Sequence, residues 1–206
     1  MAKKKEKMIQ EGILVSAKRL FAQFGPRKTT MDEIAQEAGV GKGTIYYYFT
    51  DKADVFLQVI KNEAEQLSNR MKSAAVGEEN PEQKLNAVFF EKLQALSELV
   101  NLRWLYNYIE IVRWSGLEKQ TAELAEKEQK LVEQILEEGK VKGLFAIEDV
   151  AKIAQTLLNF FAAFGKTLPR GLAPNELKKS IEDTLSFIFE GLRSRQGFEP
   201  EGGRAN

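Results

Sequence analysis

The chain has 206 residues and carries 30 Lys and Arg against 30 Asp and Glu, so its formal net charge is zero. It contains no cysteine and no histidine. That excludes disulfides, zinc fingers, haem attachment, a Ser-His-Asp triad and a cysteine nucleophile, and leaves at most an all-oxygen site for Mg²⁺ or Ca²⁺.

The length suits one or two domains, at roughly 100–200 residues each. An apolar content of 43% is ample for a core, and only 5 prolines interrupt the chain. The longest uncharged apolar tract, Ile153–Gly165, has 13 residues. Spanning a bilayer takes ~18–20. The basic start, Met1-Ala2-Lys3-Lys4-Lys5-Glu6-Lys7, leads into Met8-Ile9-Gln10-Glu11 and not into an apolar signal core, so a soluble cytoplasmic protein without membrane contact is expected. The neutral total hides an asymmetry. Residues 1–52 hold 10 Lys and Arg against 6 acids, a net of +4, which leaves −4 on the other 154. A basic front and an acidic body point to nucleic-acid contact at the front.

The periodicity is helical almost throughout. Ile9, Ile13, Leu14, Ala17, Leu20, Phe21 and Phe24 recur at spacings of three and four and predict a first amphipathic helix, ended by Gly25-Pro26. Thr30 with Glu33 reads as a capping box for a short helix Met31–Ala38 with Ile34, Ala35 and Ala38 inward. Gly39 is placed to close it in the left-handed conformation. A second short helix follows over about Lys42–Phe49, and Thr50-Asp51, with Asp54, caps a longer one over about 51–73. Asn80-Pro81 starts the next, and helices follow at about 81–98, 100–114, 117–141, 148–167 and 175–194. The tail after Gln196 reads as disordered. The expectation is an all-α chain of about nine helices. Residues 1–50 form a helix-turn-helix domain, 51–196 a helical domain for ligand binding and dimerisation, and 197–206 a disordered tail.

Two short helices joined by a glycine turn, behind a supporting helix, describe a helix-turn-helix. The second is narrow enough for the major groove while the first braces it. Ile13-Leu14 with Ala17, Leu20-Phe21, Gly25, Thr29-Thr30, Ile34-Ala35, Ala38-Gly39-Val40, Lys42-Gly43-Thr44-Ile45-Tyr46-Tyr47-Tyr48-Phe49 and Lys52 carry a resemblance to the TetR family of bacterial transcriptional regulators. The resemblance covers about residues 8–60 in unbroken register. Position 41 is Gly where many members have Ser, which removes one cap and one phosphate contact.

On this reading Lys42 touches phosphate or a guanine edge at the start of the recognition helix. Gly43 lets the backbone approach the groove, as in the family, and Thr44 reaches a base or a thymine methyl. Tyr47 and Tyr48 reach phosphates, and Tyr46 faces the DNA by resemblance. Thr30 and Lys52 add phosphate contacts, while Ile45 and Phe49 belong to the core. Taken without the motif, aromatics at helical spacing are more often core than interface, and Lys3–Lys7 alone reads better as a solvated tail.

Further along, the helix holding Leu157, Leu158, Phe160, Phe161, Ala162, Ala163 and Phe164 is apolar nearly all round, which demands burial on all sides. Leu177, Ile181, Leu185, Ile188 and Leu192 make a stripe on the last helix. By resemblance these two helices pair with their symmetry mates in a homodimer, with Leu157, Phe161, Phe164, Ile181, Leu185 and Ile188 at the seam. Burial within one subunit is the alternative. The middle helices hold the candidate effector pocket: Phe89, Phe90, Trp104, Asn107, Tyr108 and Glu110. Each of these singly is more often ordinary core. An apolar or aromatic effector is expected, a long acyl chain among the options. The implied function is a ligand-responsive regulator, a repressor in the family's common mode, binding a palindromic double-stranded operator as a dimer. No cofactor, metal or enzymatic activity is expected. The competing readings are an all-helical enzyme using carboxylates and Mg²⁺, which lacks an Asp-rich repeat here, and a helical interaction module that binds no DNA.

Overall fold

A computed structural model describes residues 2–107, 117–167 and 172–193. Among these residues there are nine α-helices and no strand. They are α1 (Ala2–Phe24), α2 (Met31–Glu37), α3 (Lys42–Tyr48), α4 (Lys52–Val76), α5 (Pro81–Glu98), α6 (Val100–Asn107), α7 (Leu117–Val141), α8 (Val150–Thr167) and α9 (Pro174–Leu192). The tail beyond 193, and the stretch after 107 expected to continue the sixth helix, lie outside the described residues.

The local signals act where the sequence places them. Thr30 accepts from the Glu33 N–H at 3.2 Å, and Glu33 Oε2 accepts from the Thr30 N–H at 2.7 Å, a complete capping box. Gly39 takes φ +67°, its N–H donates to Gln36 O, and Val40 N–H donates to Ala35 O. That pair of bonds is a Schellman closure, which a residue with a Cβ would strain. Asp51 accepts from the Asp54 N–H at 2.9 Å and so caps α4. Asn80 accepts from the Glu82 N–H at 2.8 Å and caps α5, with Pro81 as its first residue. Asp149 accepts from the Lys152 N–H at 3.0 Å, so α8 begins at Val150, later than the 148 read from periodicity.

The start of α1 departs from expectation. The Lys3–Lys7 segment, read as a solvated tail, forms the first turns of the helix. Lys and Glu are good helix formers, and Lys7 stands 3.8 Å from Glu11 one turn on. Lys4, Lys5 and Lys7 are exposed.

The chain divides into two compact units. The first takes residues 1–70 and 92–127, the second residues 71–91 and 128–206. In the first, Ile13, Ala17 and Phe21 of α1, Ile34 and Ala35 of α2, Ile45 of α3 and Val55, Phe56 and Val59 of α4 are buried. Phe21 meets Phe56 edge-on at 5.2 Å. Burying side chains of this size stabilises the unit by about 1.5–3 kcal/mol each. A buried carboxylate lies in the same unit. Glu63 of α4 accepts from the Leu102 N–H at 2.7 Å and from Asn101 Nδ2 at 2.9 Å, and Lys18 Nζ of α1 is 3.5 Å away. Asn101 Nδ2 also donates to Lys18 O at 3.1 Å. Leu102 is in the first turn of α6, whose N–H groups lack helical partners, so Glu63 caps α6 from another helix.

In the second unit Phe89 stacks on Phe161 at 4.1 Å and Phe145 on Phe189 at 5.6 Å. Ala146 N–H donates to Leu192 O at 2.7 Å, fastening the α7–α8 connection to the end of α9. Glu138 accepts from Lys84 at 2.6 Å and from Lys142 at 2.8 Å. These two bonds, the one to Lys142 leading, hold its carboxyl below the ordinary range.

The packing corrects the expected dimer seam. Leu157, Phe161, Ile181 and Leu185 are buried inside the second unit of the single chain. These four side chains form the unit's own core face, while Ile188 and Leu192 of the same stripe are half-buried. Phe164 and Ile188 are half-buried, and the apolar groups that face outward are Phe160, 42% exposed, and Phe187, 80% exposed.

Candidate nucleic-acid interface

The seven residues of α3 divide by face. Ile45 is fully buried, and Phe49, which follows the helix, is 2% exposed. They bind α3 to the core of its unit. On the open side Tyr46 is 48% and Tyr47 75% exposed, while Lys42 and Gly43 are exposed and Thr44 and Tyr48 half-buried. Tyr47 and Tyr48 meet edge-on at 5.0 Å. Burial pushes the Tyr48 hydroxyl up from its ordinary value, with smaller contributions from Glu6 and Tyr47, so it remains a hydrogen-bond donor. A Cβ built on Gly43 would meet nothing within 4 Å. Nothing in the chain requires glycine there, although glycine in a helix costs about 1 kcal/mol against alanine. The helix also starts without a side-chain cap, as expected for Gly41.

Thr30, Lys42 and Lys52, expected on phosphate, are placed around this face, and each already has a partner. Thr30 Oγ1 donates to Glu33 Oε2 at 2.8 Å. The Thr30 hydroxyl and N–H hold the Glu33 carboxyl below its ordinary value. Lys42 Nζ donates to Asp32 Oδ2 at 3.0 Å, and this bond, with the Asp32 charge, raises the Lys42 ammonium above its ordinary value. Lys52 Nζ donates to Arg27 O at 3.1 Å, fixing the α1–α2 turn to α4, and partial burial lowers its value. Asp32 was not foreseen. Its sequence signal is only an acid ten residues before a lysine, and packing of α2 against α3 is needed to bring the two together.

The expected effector residues fare differently. Phe89 is fully buried and stacked on Phe161. Phe90 is half-buried. Tyr108 and Glu110 lie outside the described residues, as do the side chains of Trp104 and Asn107. Among the described residues no group of His, Cys, Asp and Glu is arranged to hold a metal ion, and no helix is long and apolar enough to cross a membrane.

Comparison with known proteins matches the segment that contains α3. The family model described as bacterial regulatory proteins, tetR family, matches residues 13–59, which span most of α1 through the start of α4. A stretch of 62 residues is 45% identical to the HTH-type transcriptional regulator AcrR of Shigella flexneri, covering 29% of this chain and 29% of that protein. A stretch of 102 residues is 30% identical to the fatty acid metabolism regulator protein of Bacillus subtilis, covering 50% of this chain and 52% of that protein. The first curated relatives are thus matched over 24% to 52% of their own length. The fold extends further. The crystal structure of the transcriptional regulator FadR from Bacillus subtilis in complex with stearoyl-CoA superposes with a TM-score of 0.71 at 24% identity, covering 85% of this chain and 96% of that one. The capped bracing helix, the Schellman glycine and the outward tyrosines of α3 lie within the matched residues, and that stretch, residues 13–59, is of the TetR family of bacterial regulatory proteins.

Proposed function

We propose that the protein is a transcriptional regulator that binds double-stranded DNA through α3. One observation carries the reading. A seven-residue helix sinks Ile45 into the core and holds Tyr46 and Tyr47 in solvent beside an exposed glycine that no intramolecular contact explains. Aromatic hydroxyls and a bare backbone are suited to phosphate and groove contact. The decisive measurement is fluorescence anisotropy or gel shift with duplexes from the DNA upstream of the protein's own coding sequence. A saturable shift with one duplex is expected. Lys42→Ala or Tyr47→Ala should abolish it at the same protein concentration with the fold unchanged. If neither substitution matters, α3 does not read the DNA.

The protein acts as a homodimer on a palindromic operator, since two-fold symmetry presents two α3 helices to half-sites about one DNA turn apart. The outward apolar side chains Phe160 and Phe187, with half-buried Phe164 and Ile188, supply the surface for pairing through α8 and α9. It works as a repressor released by an apolar effector. A long acyl chain is supported by the Bacillus subtilis match, named a fatty acid metabolism regulator, and by the fold neighbour FadR of the same organism, crystallised with stearoyl-CoA. An effector shifts the equilibrium only by its differential affinity for the DNA-competent and DNA-incompetent states. Titrating stearoyl-CoA into the protein–DNA complex should release the duplex. Saturable binding of the thioester with no loss of DNA affinity would refute this effector class.

A further inference from the structure

We propose that Asp32 sets the affinity of the DNA-contacting face, its carboxylate occupying the Lys42 ammonium in the unbound chain and giving way to a DNA phosphate. The inference rests on the reading of α3 as the DNA-contacting helix.

Besides the tyrosine hydroxyls, three groups on this face have the chemistry to hold phosphate, and all three are satisfied from within. Thr30 is held by Glu33, Lys52 by the Arg27 carbonyl and Lys42 by Asp32. Of these, Lys42 alone is a cation held by an anion. The pair joins the first turn of α2 to the start of α3 at 3.0 Å. Its two side chains are 67% and 64% exposed, so water screens the attraction and an incoming anion has access. A carboxylate and a phosphate offer the ammonium the same kind of oxygen. A phosphate on Lys42 therefore competes with Asp32 directly, and meets the displaced carboxylate as a like charge close by.

Asp32 is not held in place by burial, unlike Glu63, and no other ion pair involving Asp32 is present among the described residues. Nor does its helix depend on it for a cap, because Thr30 and Glu33 supply the box. The acid is therefore free to move when phosphate arrives. An exposed pair of this kind is worth little, so the expected effect is modest: about two- to fivefold in affinity per reading helix.

The test uses the full chain and a fluorescein-labelled duplex that the wild type binds, with anisotropy read at low salt so that weakened variants remain measurable. Asp32→Asn and Asp32→Ser should each tighten binding by about two- to fivefold per reading helix, so by about four- to twenty-fivefold for a dimer with two. In a Lys42→Ala background the same changes should gain less than half as much, on a logarithmic scale. Thermal melting by circular dichroism should be unchanged for the single variants. Unchanged or weaker binding by both Asp32 variants, with the melt intact, would overturn the proposal and make Asp32 a strut that positions Lys42. Equal tightening with and without Lys42 would also overturn it, since Asp32 would then act by general repulsion. If the wild type binds no duplex, the reading of α3 fails and this inference fails with it. If the wild type binds, Lys42→Ala weakens binding and the Asp32 variants do not tighten it, this inference alone fails.

Discussion

A Cβ built on Gly139 of α7 would stand 2.2 Å from the Phe145 ring. No rotamer of an alanine removes that overlap, so either Phe145 or the backbone must shift. Overpacking of this kind costs about 1–3 kcal/mol. Gly139→Ala should lower the midpoint of urea denaturation accordingly, and Phe145→Leu should restore part of the loss in the double variant. Glu33 makes a second prediction at this scale. Its carboxyl is held below the ordinary value of 4.5 by bonds to Thr30. A group whose folded value is depressed contributes stability above its unfolded value and loses that contribution as pH falls through the folded one. The capping box should therefore support α2 at neutral pH and fail below about pH 4.5. Comparing acid titrations of stability for wild type and Thr30→Ala checks this, because the alanine variant keeps only the backbone bond to Glu33 and should show a smaller part of that slope.

Helices α1, α4 and α6 meet at Glu63. Removing the carboxylate orphans the buried Leu102 N–H, worth about 1–3 kcal/mol when left without a partner, and takes from Asn101 Nδ2 one of its two acceptors, leaving Lys18 O. Glu63→Ala should thus destabilise the fold by several times the effect of a surface substitution, measured by chemical denaturation. Glu63→Ala with Asn101→Ala should lose less than the sum, because the two share one network. Additive losses would show that the carboxylate and the amide act independently. The element boundaries carry a related lesson. The local caps at Thr30, Asp51 and Asn80 are readable from adjacent residues, whereas periodicity alone began α8 two residues before its start after Asp149. The capping of α6 by Glu63 joins residues 39 apart, and no local pattern announces it.

For the molecule as a whole, the dimer proposal makes opposite predictions for two kinds of apolar residue on α9. Phe187→Glu alters a side chain that is 80% exposed, so it should leave the denaturation curve intact while sedimentation shows a monomer and DNA affinity falls. Ile181→Glu places a charge at a fully buried position and should unfold the second unit. A dimeric Phe187→Glu variant would place the pairing surface elsewhere. The charge asymmetry belongs to this scale as well. A net of +4 on residues 1–52 against −4 on the rest directs phosphate attraction to the front. Affinity should fall with salt at a log–log slope of about −0.9 per phosphate contact.

The sequence by itself determined the all-helical fold, the capping box at Thr30, the closure at Gly39 and the division of α3 into buried Ile45 and outward tyrosines. All of these follow from interactions within a few residues of each other, or from a motif whose register is unbroken. The tertiary structure alone decided three things. It turned the apolar stripe of Leu157, Phe161, Ile181 and Leu185 into core, because periodicity reveals which face is apolar but not what covers it. It stacked Phe89 on Phe161, a contact between helices that no local pattern shows. It also set Asp32 on Lys42, because an ion pair between two helices depends on their packing and leaves no periodic trace in the chain.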